Sequence, residues 1–152
     1  MNMSNKIQWL QHGARVLLGL VFLLFGLNYF IPFLPTPPTP TGDAAVFLTG
    51  LFASGYLMPL VKSIEVVSAV LLLSNRFVPL ALVLLAPIIV NIAGFHFVLA
   101  PAYAMPILLL ALESFLAYSH RDVFAPLFKS RALAEPREAR AVPGGRAAAG
   151  TA

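Results

Sequence analysis

Between Val16 and Leu34 nineteen consecutive residues carry no charged side chain. At about 1.5 Å per residue a helix of that length covers roughly 28 Å, close to one bilayer hydrocarbon core. The run exceeds the apolar stretch of about 7–15 residues in a secretory signal, and Pro-rich sequence follows it where a small-x-small cleavage site would stand. It reads as a retained membrane span from about Arg15 to Leu34, with Trp9 and Tyr29–Phe30 as interfacial anchors near its ends. Composition agrees. The chain is 59% hydrophobic and only 11% charged, whereas soluble domains carry about 25% charged residues. That leaves too little polar surface to cover a water-soluble globule.

The pattern repeats along the chain. After the first span, four prolines within Pro35–Pro40 stop any helix. Ala44 to Ser54 is apolar and helical in pattern but too short to span, and Gly55 ends it. Further spans are expected over about 57–73, 77–99 and 103–118, separated by turns at Ser74-Asn75-Arg76 and Ala100-Pro101-Ala102. Pro87 lies inside the third and predicts a kink there. Gly13, Gly19 and Gly26 offer small-residue contacts for neighbouring helices. The expected fold is an all-α integral membrane protein: a four-transmembrane-helix bundle with a short extra interfacial helix between spans 1 and 2. Residues 1–128 form that domain. Residues 129–152, rich in Ala, Arg, Pro and Gly, read as a disordered basic tail.

The net charge of +4 acquires meaning only when located. Lys6 and Arg15 precede the first span, Arg76 lies between the second and third, and six of the ten basic residues lie from Arg121 onward. The other two loops hold no Lys or Arg. By the positive-inside rule both termini and the Asn75–Arg76 turn are expected in the cytoplasm of a cell with this protein in its inner membrane. Basic residues placed this way set orientation, and no groove-reading motif accompanies them, so no nucleic-acid partner is expected. The chain has no cysteine, which excludes disulfides, thiolate metal sites and cysteine redox relays. Any redox role then requires a bound cofactor or a partner subunit.

Polar residues inside the spans are the candidates for chemistry, since a charge at a helix centre costs about 2.5–3.5 kcal/mol on insertion scales. Lys62 and Glu65 are three apart and share a helix face. They are either a local ion pair, with Lys62 snorkelling outward, or a buried carboxylate that handles protons or a polar ligand. Counting 1.5 Å per residue from the outer surface puts Glu65 and Asn91 about 12 Å down and His96 about 5 Å down. Asn28, rising through the first span, reaches a similar level. A polar cluster of Asn28, Lys62, Glu65, Asn91 and His96 in the outer half of the membrane follows if those faces point inward. Glu113, mid-span in the last helix, is a secondary intramembrane site. No metal site is expected: His96 alone is more often hydrogen-bonded than ligating, and His12 and His120 lie outside the spans.

These features occur in an order that resembles the DoxX family of membrane proteins. The resemblance begins with Ala14-Arg15-Val16-Leu17-Leu18-Gly19 and Phe25-Gly26-Leu27-Asn28, and continues with Ser54-Gly55-Tyr56 and Lys62-Ser63-Ile64-Glu65. It runs through Arg76-Phe77-Val78-Pro79 and Leu85-Ala86-Pro87-Ile88-Ile89-Val90-Asn91-Ile92 to Phe95-His96, and closes on Tyr118-Ser119-His120-Arg121-Asp122. It covers about residues 7 to 128. The resemblance implies a four-helix membrane bundle, a membrane subunit or anchor of a quinone-linked or oxidative-stress redox system, and quinone as the cofactor to consider. It transfers no catalytic role to any residue. Three functions stay open on the sequence: a non-catalytic redox membrane subunit with an enzyme partner, a small carrier or proton pathway, and a structural assembly protein without chemistry. Lipid is the expected environment, and self-association into a homo-oligomer is compatible with all three.

Overall fold

The computed structural model describes residues 3–35 and 38–128, and the basic tail expected from 129 lies outside them. Among the described residues every regular element is helical.

Helix α1 spans Met3–Phe30, a longer and differently placed element than the expected 15–34. No breaker occurs in the polar stretch ahead of Arg15, so the helix extends back through it. Its far end is set by Pro32, since a residue before proline is driven out of helical geometry; the last bond of the helical series runs from Ile31 N to Leu27 O. Asn28 then fixes the exit. Its side-chain oxygen accepts from the backbone N–H groups of Phe33 and Leu34 at 2.9 and 2.7 Å.

Helix α2, Gly42–Ala53, meets helix α3, Leu57–Leu73, at an elbow of 86°. Gly55 at the elbow has φ +73°, a left-handed value that glycine adopts without steric cost. The end of α3 is a Schellman turn: Arg76 N bonds Leu71 O and Asn75 N bonds Leu72 O, with Asn75 left-handed at φ 56°. Helix α4, Val78–Gly94, continues through Pro87 into a π-helical turn at Phe95–Leu99. The departure from α geometry falls at the helix end, about two turns beyond Pro87. Helix α5 is Ala104–Ser119, followed by a short α6, Arg121–Phe124, and a 3-10 turn over Ala125–Phe128.

Helices α1 and α4 each pack against both α3 and α5, so α3 and α5 occupy diagonal corners of a four-membered ring. Leu18, Phe22, Leu72, Leu82, Leu85, Ile89 and Leu116 fill the centre. Glycines set the α1–α3 approach. A Cβ on Gly19 would stand 2.9 Å from Leu73 Cγ, and one on Gly26 2.8 Å from Val66 Cγ2. A Cβ on Gly13 would meet nothing within 4 Å among the described residues, so no close helix approach there depends on it.

The polarity of the bundle is inverted relative to a soluble protein. Leu17, Leu24, Val67, Val83 and Val90 face outward, while Arg15, Glu65, Ser68 and Glu113 are buried. Two helices, Asn5–Phe30 and Val78–Leu99, are long and apolar enough to cross a membrane, and a third counts if the bent α2–α3 pair forms one span. Helix α5 is apolar but shorter. Apolar surface outside and ionisable groups inside mark a membrane-associated protein.

Candidate functional site

A cavity of about 630 Å³ opens between α2, α3, α4 and the π-helical turn. This lies within the range of about 300–1,000 Å³ usual for small-molecule sites. Helix α2 covers it, contributing Phe47, Leu48 and Leu51, and the elbow at Gly55 is what turns α2 across the end of the bundle. The Phe47 and Phe95 rings meet over it with centroids 5.7 Å apart. Lys62 and Glu65 of α3, Asn91 of α4 and His96 of the π-helical turn all line this one cavity. Met58, Val61, Ile88 and Ile92 complete an otherwise apolar wall.

The polar groups differ in how they are held. Glu65 is buried, with 2% of its surface exposed, and both of its oxygens accept from Lys62 Nζ, at 3.0 and 2.9 Å. The pair is possible because three residues along a helix return to the same face. Lys62 is half-buried, and an ammonium has three hydrogens to donate, so one remains after the two bonds to Glu65. His96 donates from Nδ1 to Ile92 O at 2.8 Å, which leaves Nε2 as an acceptor. Its ring stands edge-on to Phe95, with centroids 5.2 Å apart. Asn91 makes no side-chain hydrogen bond among the described residues, and both ends of its amide remain open. The wall therefore presents donors at Lys62 and Asn91 and acceptors at Asn91 and His96. That set suits an apolar molecule bearing carbonyl or hydroxyl oxygens.

Asn28 does not join this cluster. It is two residues from the end of α1, and its oxygen is taken by the two backbone groups it caps, so its role is to shape the loop. Glu113 lies apart as well, on a second cavity of about 440 Å³ between α4, α5 and α6, which Arg121 also lines. Neither carboxylate oxygen of Glu113 has a hydrogen-bond partner among the described residues.

Two buried polar residues were not anticipated from the sequence. Ser68 is wholly buried with its Oγ unpartnered, and Arg15, expected to flank the membrane, is 9% exposed with Nη1 unpartnered. Ser68 follows Lys62 and Glu65 at three-residue steps on one face of α3, and that spacing is the signal that could have singled it out. Arg15 had no comparable signal, because only the backward extension of α1 places it within the bundle.

Comparison with known protein families, with curated proteins and with solved structures finds no match to this chain.

Proposed function

We propose that this chain is a DoxX-like four-span membrane protein that serves as the membrane subunit of a redox system, receiving a quinone headgroup in the cavity beneath α2. The observation that carries this reading is the cavity itself: aromatic and aliphatic walls, with Lys62, Asn91 and His96 as the polar groups available to a ligand. A quinone has an apolar body and two carbonyl oxygens, which accept from Lys62 Nζ and Asn91 Nδ2. Reduction adds two electrons and two protons, and Lys62, Glu65 and His96 are the ionisable side chains that line the site. The chain has no cysteine to ligate a cluster, so electrons come from a partner subunit. Helices α1, α3, α4 and α5 are the four spans, and the distribution of Lys6, Arg15, Arg76 and Arg121 orients both termini and the Asn75 turn toward the cytoplasm.

Photolabelling of the detergent-purified protein with an azidoquinone tests the site. Label should appear on peptides from α2, α3 and α4, and should be lost in a Lys62→Ala, Asn91→Ala double variant. A protein that takes no label and copurifies with neither quinone nor a partner would overturn the reading. Orientation is tested separately, by introducing single cysteines into a chain that has none. A cysteine at Asn75 should resist a membrane-impermeant maleimide in intact cells, and one at Gly42 should react.

A further inference from the structure

Glu113, in the wall of the second cavity, is 8% exposed, and neither of its oxygens accepts a hydrogen bond from any described residue. Arg15, buried on the neighbouring α1, does not reach it, since a bond from that guanidinium would have satisfied one of those oxygens. Buried oxygens are paired in the great majority of native proteins, so a partner from outside the chain is expected here. Water is a poor candidate. A buried water needs two to four polar partners, and apart from Glu113 and Arg121 every described side chain lining this cavity is apolar.

The chain shows at Glu65 what satisfies a carboxylate in such surroundings. One primary ammonium, Lys62 Nζ, donates to both oxygens at 3.0 and 2.9 Å. Among the described residues no lysine lines the second cavity, so there the ammonium has to arrive on a ligand. What else the ligand carries is set by Arg121. Its guanidinium folds back over the Tyr118 ring, 4.8 Å from the centroid, and gives one long bond of 3.4 Å to Tyr118 O. Most of its N–H donors are left for an anion, and their fork matches the oxygens of a phosphate. Tyr118 is five residues beyond Glu113, about 7.5 Å along the helix. An ammonium and a phosphate joined by two carbons lie about 5 Å apart at bond lengths near 1.5 Å. A hydrogen bond of about 2.9 Å at each end lets them span that interval. The wall also includes Val83, 49% exposed on α4, one of the two helices long and apolar enough to cross a membrane. The cavity is therefore bordered by lipid-facing surface, where the acyl chains of a ligand can stay in the bilayer.

We infer that the second cavity binds the headgroup of an ethanolamine phospholipid, with its ammonium on the oxygens of Glu113 and its phosphate on Arg121. The primary ammonium is the selective feature. A choline headgroup has no N–H to donate, and a glycerol headgroup brings no cation to the buried carboxylate. Among the described residues the two cavities share no lining residue, so this site stands or falls apart from the quinone reading.

Native mass spectrometry of the full chain in lipid-free detergent tests the site. The probes are ethanolamine, N-monomethyl, N,N-dimethyl, choline and glycerol phospholipids with identical acyl chains. Ethanolamine and monomethyl lipids keep the two N–H bonds that two oxygens require. They should bind about tenfold or more tighter than the choline and glycerol lipids, with the dimethyl lipid between. Glu113→Leu should abolish that preference. Arg121→Ala should weaken ethanolamine and choline lipids by the same factor, since both carry the phosphate. Equal binding of ethanolamine and choline lipids to the wild type overturns the site, as does a preference that survives in Glu113→Leu. Displacement of the lipid by an equal concentration of phosphoethanolamine overturns a lipid as the occupant. If Glu113→Leu is not recovered folded, Arg121→Ala, at an exposed position, decides; undiminished affinity for the ethanolamine lipid there overturns the site.

Discussion

Glu65 and Glu113 are both carboxylates on the inner faces of apolar helices, and both are nearly inaccessible. They differ in company. Glu65 is gripped through both oxygens by Lys62 from its own helix, while Glu113 has no partner on either oxygen among the described residues. A charge removed from water costs several kcal/mol unless a counter-charge and hydrogen bonds meet it. The α3 carboxylate is met locally, by a residue about one turn away on its own helix. The α5 carboxylate depends on whatever enters the cavity beside it. The first arrangement holds a site in shape, and the second keeps a group available.

That contrast predicts opposite responses to substitution. The largest effect is expected for Lys62→Ala, which leaves Glu65 buried and alone. A loss of about 3–5 kcal/mol should lower the thermal unfolding midpoint in detergent, whereas Lys62→Met with Glu65→Leu should be neutral or stabilising. An unchanged midpoint for Lys62→Ala would mean that the pair does not compensate the burial of Glu65. Glu113→Leu breaks no hydrogen bond among the described residues and should stabilise the protein by about 1–3 kcal/mol, raising the midpoint, because a buried carboxylate without a protein partner there is removed. Destabilisation there would reveal a partner and erase the contrast.

Smaller effects probe the frame around Glu65. A methyl on Gly26 would press on Val66 Cγ2 and lie 3.4 Å from Glu65 Cβ. Gly26→Ala should therefore cost about 1–3 kcal/mol, the usual penalty of overpacking. Gly13→Ala meets nothing within 4 Å and should instead gain up to about 1 kcal/mol from helix propensity. Equal responses at the two glycines would show that α1 and α3 are not held close by these positions.

Much of the helical layout was legible in the sequence, because apolar runs and breakers carry it. The expected 57–73 coincides with α3, and 103–118 differs from α5 by one residue at each end. The first helix was misplaced for a physical reason. Hydropathy reports the apolar part of a helix and is silent about polar turns that prolong it, so Met3–Ala14 was passed over. Depth counting grouped Lys62, Glu65, Asn91 and His96, which line one cavity, but it also drew in Asn28, since depth says nothing about facing. Asn28 sits within reach of free backbone N–H groups just beyond its helix and is consumed there. Ser68 carries no charge to attract notice, and only its burial gives it weight. The 86° elbow that turns α2 into a cover was equally hidden, because glycine permits a turn without stating its angle.

The short lengths of α3 and α5, 17 and 16 residues, have a consequence for the membrane itself. They rise about 26 and 24 Å, several ångströms less than a hydrocarbon core of about 30 Å. With all four helices spanning, the bilayer beside those two corners would have to thin to avoid hydrophobic mismatch, at a cost of fractions of a kcal/mol per ångström. The protein would then sit in a dimple, with the aqueous layers drawn toward each other around the corners that carry Glu65, Ser68 and Glu113. Thinner membranes would accommodate it with less deformation, and bilayer thickness would become a variable that acts on how far the buried carboxylates lie from water.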